Sequence, residues 1–154
     1  MPSLSDAELV QRLLLAALLG GLIGLEREWR NKDAGLRTNI LIAIGSAVFT
    51  LMSIELTDAR TGDTSRVAAQ IVTGIGFLGA GAIMRTDAGI HGLTTAATIW
   101  VNAAVGVAAG GGESHLAVIT TVITLGVLLV LQPIEKYIDS RNGERKKTAP
   151  APEA

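Results

Sequence analysis

Apolar and polar residues fall into long blocks along this chain instead of alternating. The apolar blocks cover residues 9–29, 39–56, 67–84, 93–110 and 116–134. Each block is close to the roughly 20 residues with which a helix crosses a bilayer. We therefore predict an all-α polytopic membrane protein with five transmembrane helices.

The first helix carries its own start signal. Ser5 followed by Glu8 is the pattern of a capping box. No basic segment precedes the first apolar block, and Asp6 and Glu8 stand there instead. We therefore expect no cleaved signal peptide.

The positions of lysine and arginine predict the orientation of the helices, because these residues gather on the cytoplasmic side. If the connector 26–38 is cytoplasmic, ten basic residues lie inside and three lie outside. This bias places the N-terminus outside and the C-terminus in the cytoplasm. We expect a transmembrane domain over residues 1–135 and a short, basic, disordered cytoplasmic tail over 136–154. The inside set is Arg27, Arg30, Lys32, Arg37, Arg85, Lys136, Arg141, Arg145, Lys146 and Lys147, and the outside set is Arg12, Arg60 and Arg66.

Residues 70–85 contain four glycines in an otherwise apolar stretch. Gly74, Gly76 and Gly79 match a dinucleotide-binding fingerprint as a string, but that motif requires a preceding strand and a later acidic residue. Glycines in a transmembrane helix instead let a neighbouring backbone approach closely. We therefore predict that the third helix is the packing core. The glycines predicted at helix contacts are Gly20, Gly24, Gly76, Gly79, Gly81, Gly106 and Gly110.

Neutral polar side chains mark one face of the fourth helix. Thr94, Thr98 and Asn102 recur at every fourth position, with Thr95 beside them. Two interpretations stay open: hydrogen bonds between helices, or a lining that admits a cation or a small polar ligand. Trp100 lies deeper than an interfacial anchor, so we expect the stripe to supply its hydrogen-bond partner. Two side chains of the third helix are expected to meet the stripe, which completes the intramembrane polar candidates: Gln70, Thr73, Thr94, Thr95, Thr98, Trp100 and Asn102.

The connector 26–38 concentrates charge. Glu26 with Arg30, and Glu28 with Lys32, lie four residues apart and are predicted to pair if the first helix continues that far. One interpretation is an interfacial cluster that fixes orientation and binds anionic lipid. The other is a surface that docks a partner or an anion. The predicted cytoplasmic cluster comprises Glu26, Arg27, Glu28, Arg30, Arg37 and Arg85.

Several kinds of chemistry lack the residues that they require. The chain has no cysteine, which excludes disulfides and thiolate sites, and no carboxylate lies near the middle of an apolar block, which weighs against proton-coupled transport. No nucleophile–base pair or metal triad predicts an enzyme, and no basic soluble domain predicts nucleic-acid binding. We expect no enzymatic activity and no cofactor. Mg²⁺ enters only as a signal or a weak ligand, with Glu26 and Glu28 as the weak candidates.

Four blocks together resemble the MgtC/SapB family of bacterial inner-membrane proteins. They are residues 24–30, 34–38, 70–83 and 92–97, the last followed by Trp100. The resemblance implies a multi-pass inner-membrane protein and, for several members, growth under magnesium limitation and survival inside macrophages. It also implies a regulator of other membrane proteins, the ATP synthase among them. Longer members add a soluble ACT-like domain, whereas here a short basic tail follows the fifth helix.

We predict from these features a non-enzymatic membrane regulator. It would work through helix–helix contacts with itself, as a homo-oligomer, and with other inner-membrane proteins, under low Mg²⁺ or related stress. The alternative is a magnesium, cation or small-solute transporter that uses the stripe of Thr94, Thr98 and Asn102.

Overall fold

The structure is a computed structural model that describes residues 4–56, 63, 65–87 and 89–148, and the side chains within that range except those of 135, 136 and 138–148. Within these residues the chain forms five helices and one short antiparallel hairpin. In chain order the elements are α1 (Asp6–Trp29), α2 (Leu36–Leu56), α3 (Ser65–Gly81), β1 (Met84–Thr86), β2 (Gly89–His91), α4 (Leu93–Gly111) and α5 (Ser114–Thr148).

Four of the helices in the described part of the chain are long and apolar enough to cross a membrane. They are α1, α2, α4 and residues Ser114–Ile134 of α5. Helix α3 has 17 residues, so it extends about 26 Å, slightly less than the roughly 30 Å hydrocarbon core. The helical architecture is therefore as predicted, whereas the count of five spans and their orientation stay predictions.

The ends of the helices follow local sequence signals. The capping box at the start of α1 is present, since Ser5 Oγ accepts from Glu8 N at 3.3 Å and Glu8 Oε2 accepts from Ser5 N at 2.9 Å. Helix α4 lies between two left-handed glycines, Gly92 with φ 86° and Gly112 with φ 88°. Residues other than glycine rarely adopt a left-handed backbone conformation, so these two glycines fix where α4 begins and ends.

Helix α4 lies at the centre of the fold and contacts all four other helices. Its fully buried Val105 and Ala109 pack against Ala16 and Ile23 of α1 and Ala47 of α2. The side chains in this core are small or medium-sized, and membrane helices gain packing energy by bringing backbones close together. The packing core is therefore built on α4 with α1 and α2, not on α3 as the sequence led us to predict.

Four of the predicted contact glycines lie where two helices are too close to admit a side chain. A Cβ atom on Gly20 would lie 2.6 Å from Ala43 Cβ, and one on Gly110 would lie 2.6 Å from the carbonyl oxygen of Ala47. Both distances are well below van der Waals contact, so a larger residue forces the helices apart. The four glycines at such contacts are Gly20, Gly24, Gly106 and Gly110.

Helix α3 lies at the edge of the bundle. Its buried residues are Ile75 and Gly79, and a Cβ on Gly79 would be in ordinary contact with Ala96 of α4 at 3.6 Å from the carbonyl oxygen. At Gly76 and Gly81 a Cβ would meet nothing within 4 Å. Only one face of α3 is turned towards α4, and these two glycines lie off it, so they contact none of the residues that the structure describes on other helices. Contact with another chain stays a prediction.

Arg12 of α1 reaches the far end of α4. Its Nη1 donates a hydrogen bond of 2.9 Å to the carbonyl oxygen of Gly110. The last carbonyls of a helix have no partner within the helix, and a cation there also interacts favourably with the helix dipole. This bond ties the first half of α1 to the last turn of α4.

The tail differs from the prediction. Helix α5 continues without interruption to Thr148, whereas disorder was expected from residue 136. Extending a formed helix avoids the cost of nucleation, so a polar segment can propagate a helix that it would not start. Most of the stretch between the second and third apolar blocks lies outside the described residues, as do residues 149–154.

Candidate functional site

The charged connector is held in place by a carboxylate that caps the next helix. Helix α1 ends at Trp29, and the chain then turns through Asn31, a left-handed residue with φ 51°. Glu28 Oε2 accepts a hydrogen bond of 3.1 Å from Leu36 N, in the first turn of α2. A Cβ on Gly35 would overlap this carboxylate, so the glycine makes room for the cap. A negative charge at a helix N-terminus is stabilising.

The predicted pair of Glu28 with Lys32 is therefore not formed. Spacing of four residues brings side chains together only within a continuous helix, and α1 ends before Lys32. The predicted pair of Glu26 with Arg30 is formed, with Oε1 of Glu26 2.7 Å from Nε of Arg30. Each of the two carboxylates that were weak Mg²⁺ candidates thus has a partner within the protein.

Arg27 is the central residue of the site. It is only 4 % exposed, and its Nη2 donates to Thr95 Oγ1 of α4 at 3.1 Å. Its Nη1 lies 3.9 Å from Oε2 of Glu26, which is itself 8 % exposed. Arg37 and Arg85 of the predicted cluster are exposed and have no ion pair within the described residues. The structure therefore brings Glu26, Arg27 and Arg30 together and leaves the other two arginines apart.

A second buried polar contact joins α2 and α4. Asn102 Nδ2 donates to the backbone oxygen of Asn39 at 2.7 Å and to its Oδ1 at 3.0 Å. Both asparagines are fully buried. Asn39 Nδ2 in turn donates to the backbone oxygens of Ala34 and Gly35, which precede α2. This chain of bonds fixes the register of α2 against α4.

The rest of the polar stripe divides between two environments. Thr95, Thr98 and Asn102 are buried, whereas Thr94 is exposed. Thr98 Oγ1 donates to the backbone oxygen of Thr94 at 2.7 Å, a bond within the helix. The stripe thus hydrogen-bonds to α1 through Thr95 and to α2 through Asn102, which accords with interhelical hydrogen bonding.

Three candidates do not join the stripe. Trp100 is 50 % exposed, because a residue two positions from Thr98 lies about 200° around the helix. The prediction that the stripe binds its indole N–H is therefore wrong. Gln70 and Thr73 of α3 are exposed and do not reach the stripe either, since α3 meets α4 through Ile75 and Gly79.

A cavity of about 670 Å³ lies beside Arg27, where the end of α1, the connector, β2, the start of α4 and α5 meet. Its lining carries the charged and polar side chains of Arg27, Lys32, Asp33, His91, Thr94 and Gln132. Its charged lining has two cations and one carboxylate, so the cavity is basic.

Two apolar grooves lie on the surface of the bundle. One, of about 380 Å³, runs between α4 and α5 and shares Thr94, Val127 and Leu128 with the basic cavity. The other, of about 610 Å³, separates α2 from α3 and is lined mostly by apolar side chains, together with Thr38, Ser46 and Gln70. Within the described part of the chain no three His, Asp or Glu side chains are grouped as they would be to hold a metal ion.

Two functional residues were not recognised from the sequence in their true roles. Asn39 stands at the start of an apolar block and received no assignment, and its partner Asn102 lies 63 positions away in the sequence. Arg27 was assigned to a cytoplasmic charged cluster that binds anionic lipid or docks a partner, yet it is buried. The signal was present in the sequence: Arg27 lies one turn after Ile23, a core residue, on the face that packs against α4.

Comparison with known proteins gives consistent matches. The model of the MgtC family matches residues 13–137. "Protein MgtC" of Salmonella typhimurium is 47 % identical over 141 residues, covering 89 % of this chain and 60 % of that protein. "Putative magnesium transporter YhiD" of Escherichia coli is 46 % identical over 142 residues, covering 88 % and 66 %. "Protein MgtC" of Brucella abortus is 49 % identical over 126 residues, covering 80 % and 51 %.

The chain therefore spans about half to two thirds of the length of these relatives. No solved structure matches it.

Proposed function

This chain belongs to the MgtC family, and we propose that it is a regulatory protein of the bacterial inner membrane that acts through contacts with other membrane proteins. Its setting would be adaptation to low magnesium or a related stress, including life inside macrophages where the organism is a pathogen. Its partners would be a second copy of this chain and other inner-membrane proteins, the ATP synthase among them. No chemical step is required of it.

The observation that supports this proposal is the unpartnered face of α3. Phe77 is 83 % exposed, and Gly76 and Gly81 have open space beside them. Gln70 is exposed on the same helix and has no hydrogen bond within the described residues. Small residues flanked by an aromatic ring and an amide favour contact with another helix.

In a bilayer, this face of α3 is energetically unfavourable when no other helix covers it. An amide without a hydrogen bond is unfavourable in hydrocarbon, by roughly 2 kcal/mol or more, and lipid cannot supply the bond. A helix that packs on α3 can supply it, at a gain of about 0.6 kcal/mol for an average interhelical hydrogen bond. The glycines would let that helix approach closely enough for it.

Cysteine crosslinking tests the proposal directly, because the chain has no cysteine of its own. Phe77→Cys introduced into the full chain in native membranes should form crosslinks with a second copy or with another membrane protein. Ile123→Cys is the matched control, since Ile123 is 62 % exposed on α5. Crosslinking at residue 77 no stronger than at residue 123 would contradict the proposal.

Substitution of glycines by leucine tests whether the face of α3 contacts another helix. Gly76→Leu adds a side chain where this chain leaves space, so the fold should persist while the Phe77→Cys crosslink and growth at low Mg²⁺ are lost. Gly126→Leu is the control, because Gly126 of α5 also has open space. Equal behaviour of the two variants would argue that the α3 face has no partner.

Magnesium transport is the second candidate, favoured by the name of the Escherichia coli relative and by the exposed Thr94 at the mouth of the α4–α5 groove. The basic charge of Arg27 and Lys32 next to Thr94 opposes it, because it repels a divalent cation. Purified protein in liposomes should show no Mg²⁺ flux above that of empty liposomes. Flux that Thr94→Val reduces would instead favour transport.

A further inference from the structure

The buried Arg27 at the end of α1 shares its counter-ion with a second, partly exposed cation. The single carboxylate of Glu26 faces two guanidinium groups, those of Arg30 and Arg27. Arg27 binds Thr95 through Nη2, but its Nε is buried and has no hydrogen-bond partner among the described residues. A buried cation without full compensation is strongly unfavourable. An anion next to Arg27 would remove this cost.

The cavity beside Arg27 offers the other groups that bind an anion. Lys32 adds a second cation, against the one carboxylate of Asp33. The first turn of α4 also faces this cavity, since Gly92 and Thr94 line it. Gly92 cannot cap that turn with a side chain. The backbone N–H groups in the first turn of α4 and the positive end of the helix dipole are therefore available to an anion.

One neutral side chain in the cavity also determines which hydrogen-bonding groups a ligand must carry. Gln132 lines the same cavity, and its Oε1 is buried without a hydrogen-bond donor. An amide oxygen in that position accepts from a hydroxyl or an N–H group. The complementary ligand therefore carries a negative oxygen for Arg27 and a hydroxyl or N–H donor for Gln132.

The geometry extends from the cavity into an apolar groove. Thr94, Val127 and Leu128 belong both to the basic cavity and to the groove between α4 and α5. Farther along, that groove is lined by Val101 and Ile123. A ligand with an acidic head and a hydrocarbon chain fits both parts, whereas a free anion uses the cavity alone.

We propose that the cavity between the end of α1 and the start of α4 is a phosphate-binding site, occupied by the headgroup of an anionic phospholipid whose acyl chain lies in the α4–α5 groove. The shared chemistry is a phosphate oxygen next to Arg27 and the α4 N-terminus. A soluble phosphate is the other source of that group. The proposal does not depend on the contacts of α3.

Lipid binding to the purified full-length chain tests the site. Native mass spectrometry would follow the addition of phosphatidylglycerol, which has a phosphate and hydroxyl groups, and of phosphatidylcholine, which is zwitterionic and has no hydroxyl in its headgroup. Isothermal titration with inorganic phosphate forms the second arm. The variants are Lys32→Gln and Arg27→Lys, and the control is Arg37→Gln, an exposed arginine that does not line the cavity.

We expect one saturable site for phosphatidylglycerol and none for phosphatidylcholine. Lys32→Gln should weaken binding about fivefold, the effect of one basic residue near an anionic surface. Arg27→Lys keeps the charge but loses the planar fork, so it should also weaken binding, and Arg37→Gln should not. Because Lys32 is exposed, its variant remains informative if Arg27→Lys fails to fold.

Each remaining outcome either supports the phosphate site or overturns the proposal. Saturable binding of inorganic phosphate with the same dependence on Lys32, but no lipid binding, would support the phosphate site and identify the soluble source. Equal weakening by Lys32→Gln and Arg37→Gln would show attraction to surface charge only and overturn the proposal. Absence of saturable binding in both arms would overturn it as well.

Discussion

Replacing Gly106 by alanine should destabilise the bundle, although alanine is the better helix former. A Cβ on Gly106 would lie 2.8 Å from Ser46 Cβ and closer still to the carbonyl oxygen of Ala43. The oxygen belongs to the backbone and cannot rotate away, so α2 and α4 must separate. Overpacking of this kind costs about 1–3 kcal/mol, against a helix-propensity gain of about 0.8–1.0 kcal/mol for alanine over glycine.

Gly126→Ala provides the matched control for this steric cost. Gly126 lies within α5 and a Cβ there meets nothing within 4 Å, so only the propensity gain remains. The difference between the free energies of unfolding of the two variants should therefore be about 1–3 kcal/mol. Reversible unfolding in mixed micelles, followed by tryptophan fluorescence, measures it. A difference within about 0.5 kcal/mol, the usual scatter of surface substitutions, would refute the close packing of α2 on α4.

Three further substitutions test individual contacts in the same unfolding assay. Asn102→Ala should lower the free energy of unfolding by about 1–3 kcal/mol, because Asn39 loses its buried donor; an unchanged value would contradict the buried bond. Glu28→Gln should cost about 0.3–1 kcal/mol, since the amide still accepts from Leu36 N but the charge at the start of α2 is lost. Arg12→Gln should cost a similar amount that shrinks as salt is added, and a loss that salt leaves unchanged would show that charge is not the cause.

The sequence predicted the helices more accurately than their arrangement. Block hydropathy identified the apolar helices, and the family resemblance was confirmed. The density of glycines in α3 misled us about the core, because glycine permits close approach but does not show which helix approaches. Gly106 and Gly110 of α4 meet α2, whereas Gly76 and Gly81 have no neighbour within 4 Å of a Cβ among the residues that the structure describes.

The candidate site was predicted in part for a similar reason. Spacing correctly paired Glu26 with Arg30, since both belong to one turn of helix or its end. It could not predict that Arg27 binds Thr95 or that Asn102 binds Asn39, because those contacts join residues more than 60 positions apart. Long-range contacts depend on helix rotation and register, which periodicity within one helix does not determine.

Helix α1 is hydrogen-bonded to α4 at two points. Arg12 binds the last turn of α4 and Arg27 binds its first, and the two arginines stand 15 residues apart, about 22 Å along the helix axis. Sliding or rolling of one helix against the other would break a charged bond at both points together. This antiparallel pair is thus held in one register, and a rearrangement that keeps both bonds can displace only the three helices packed around it.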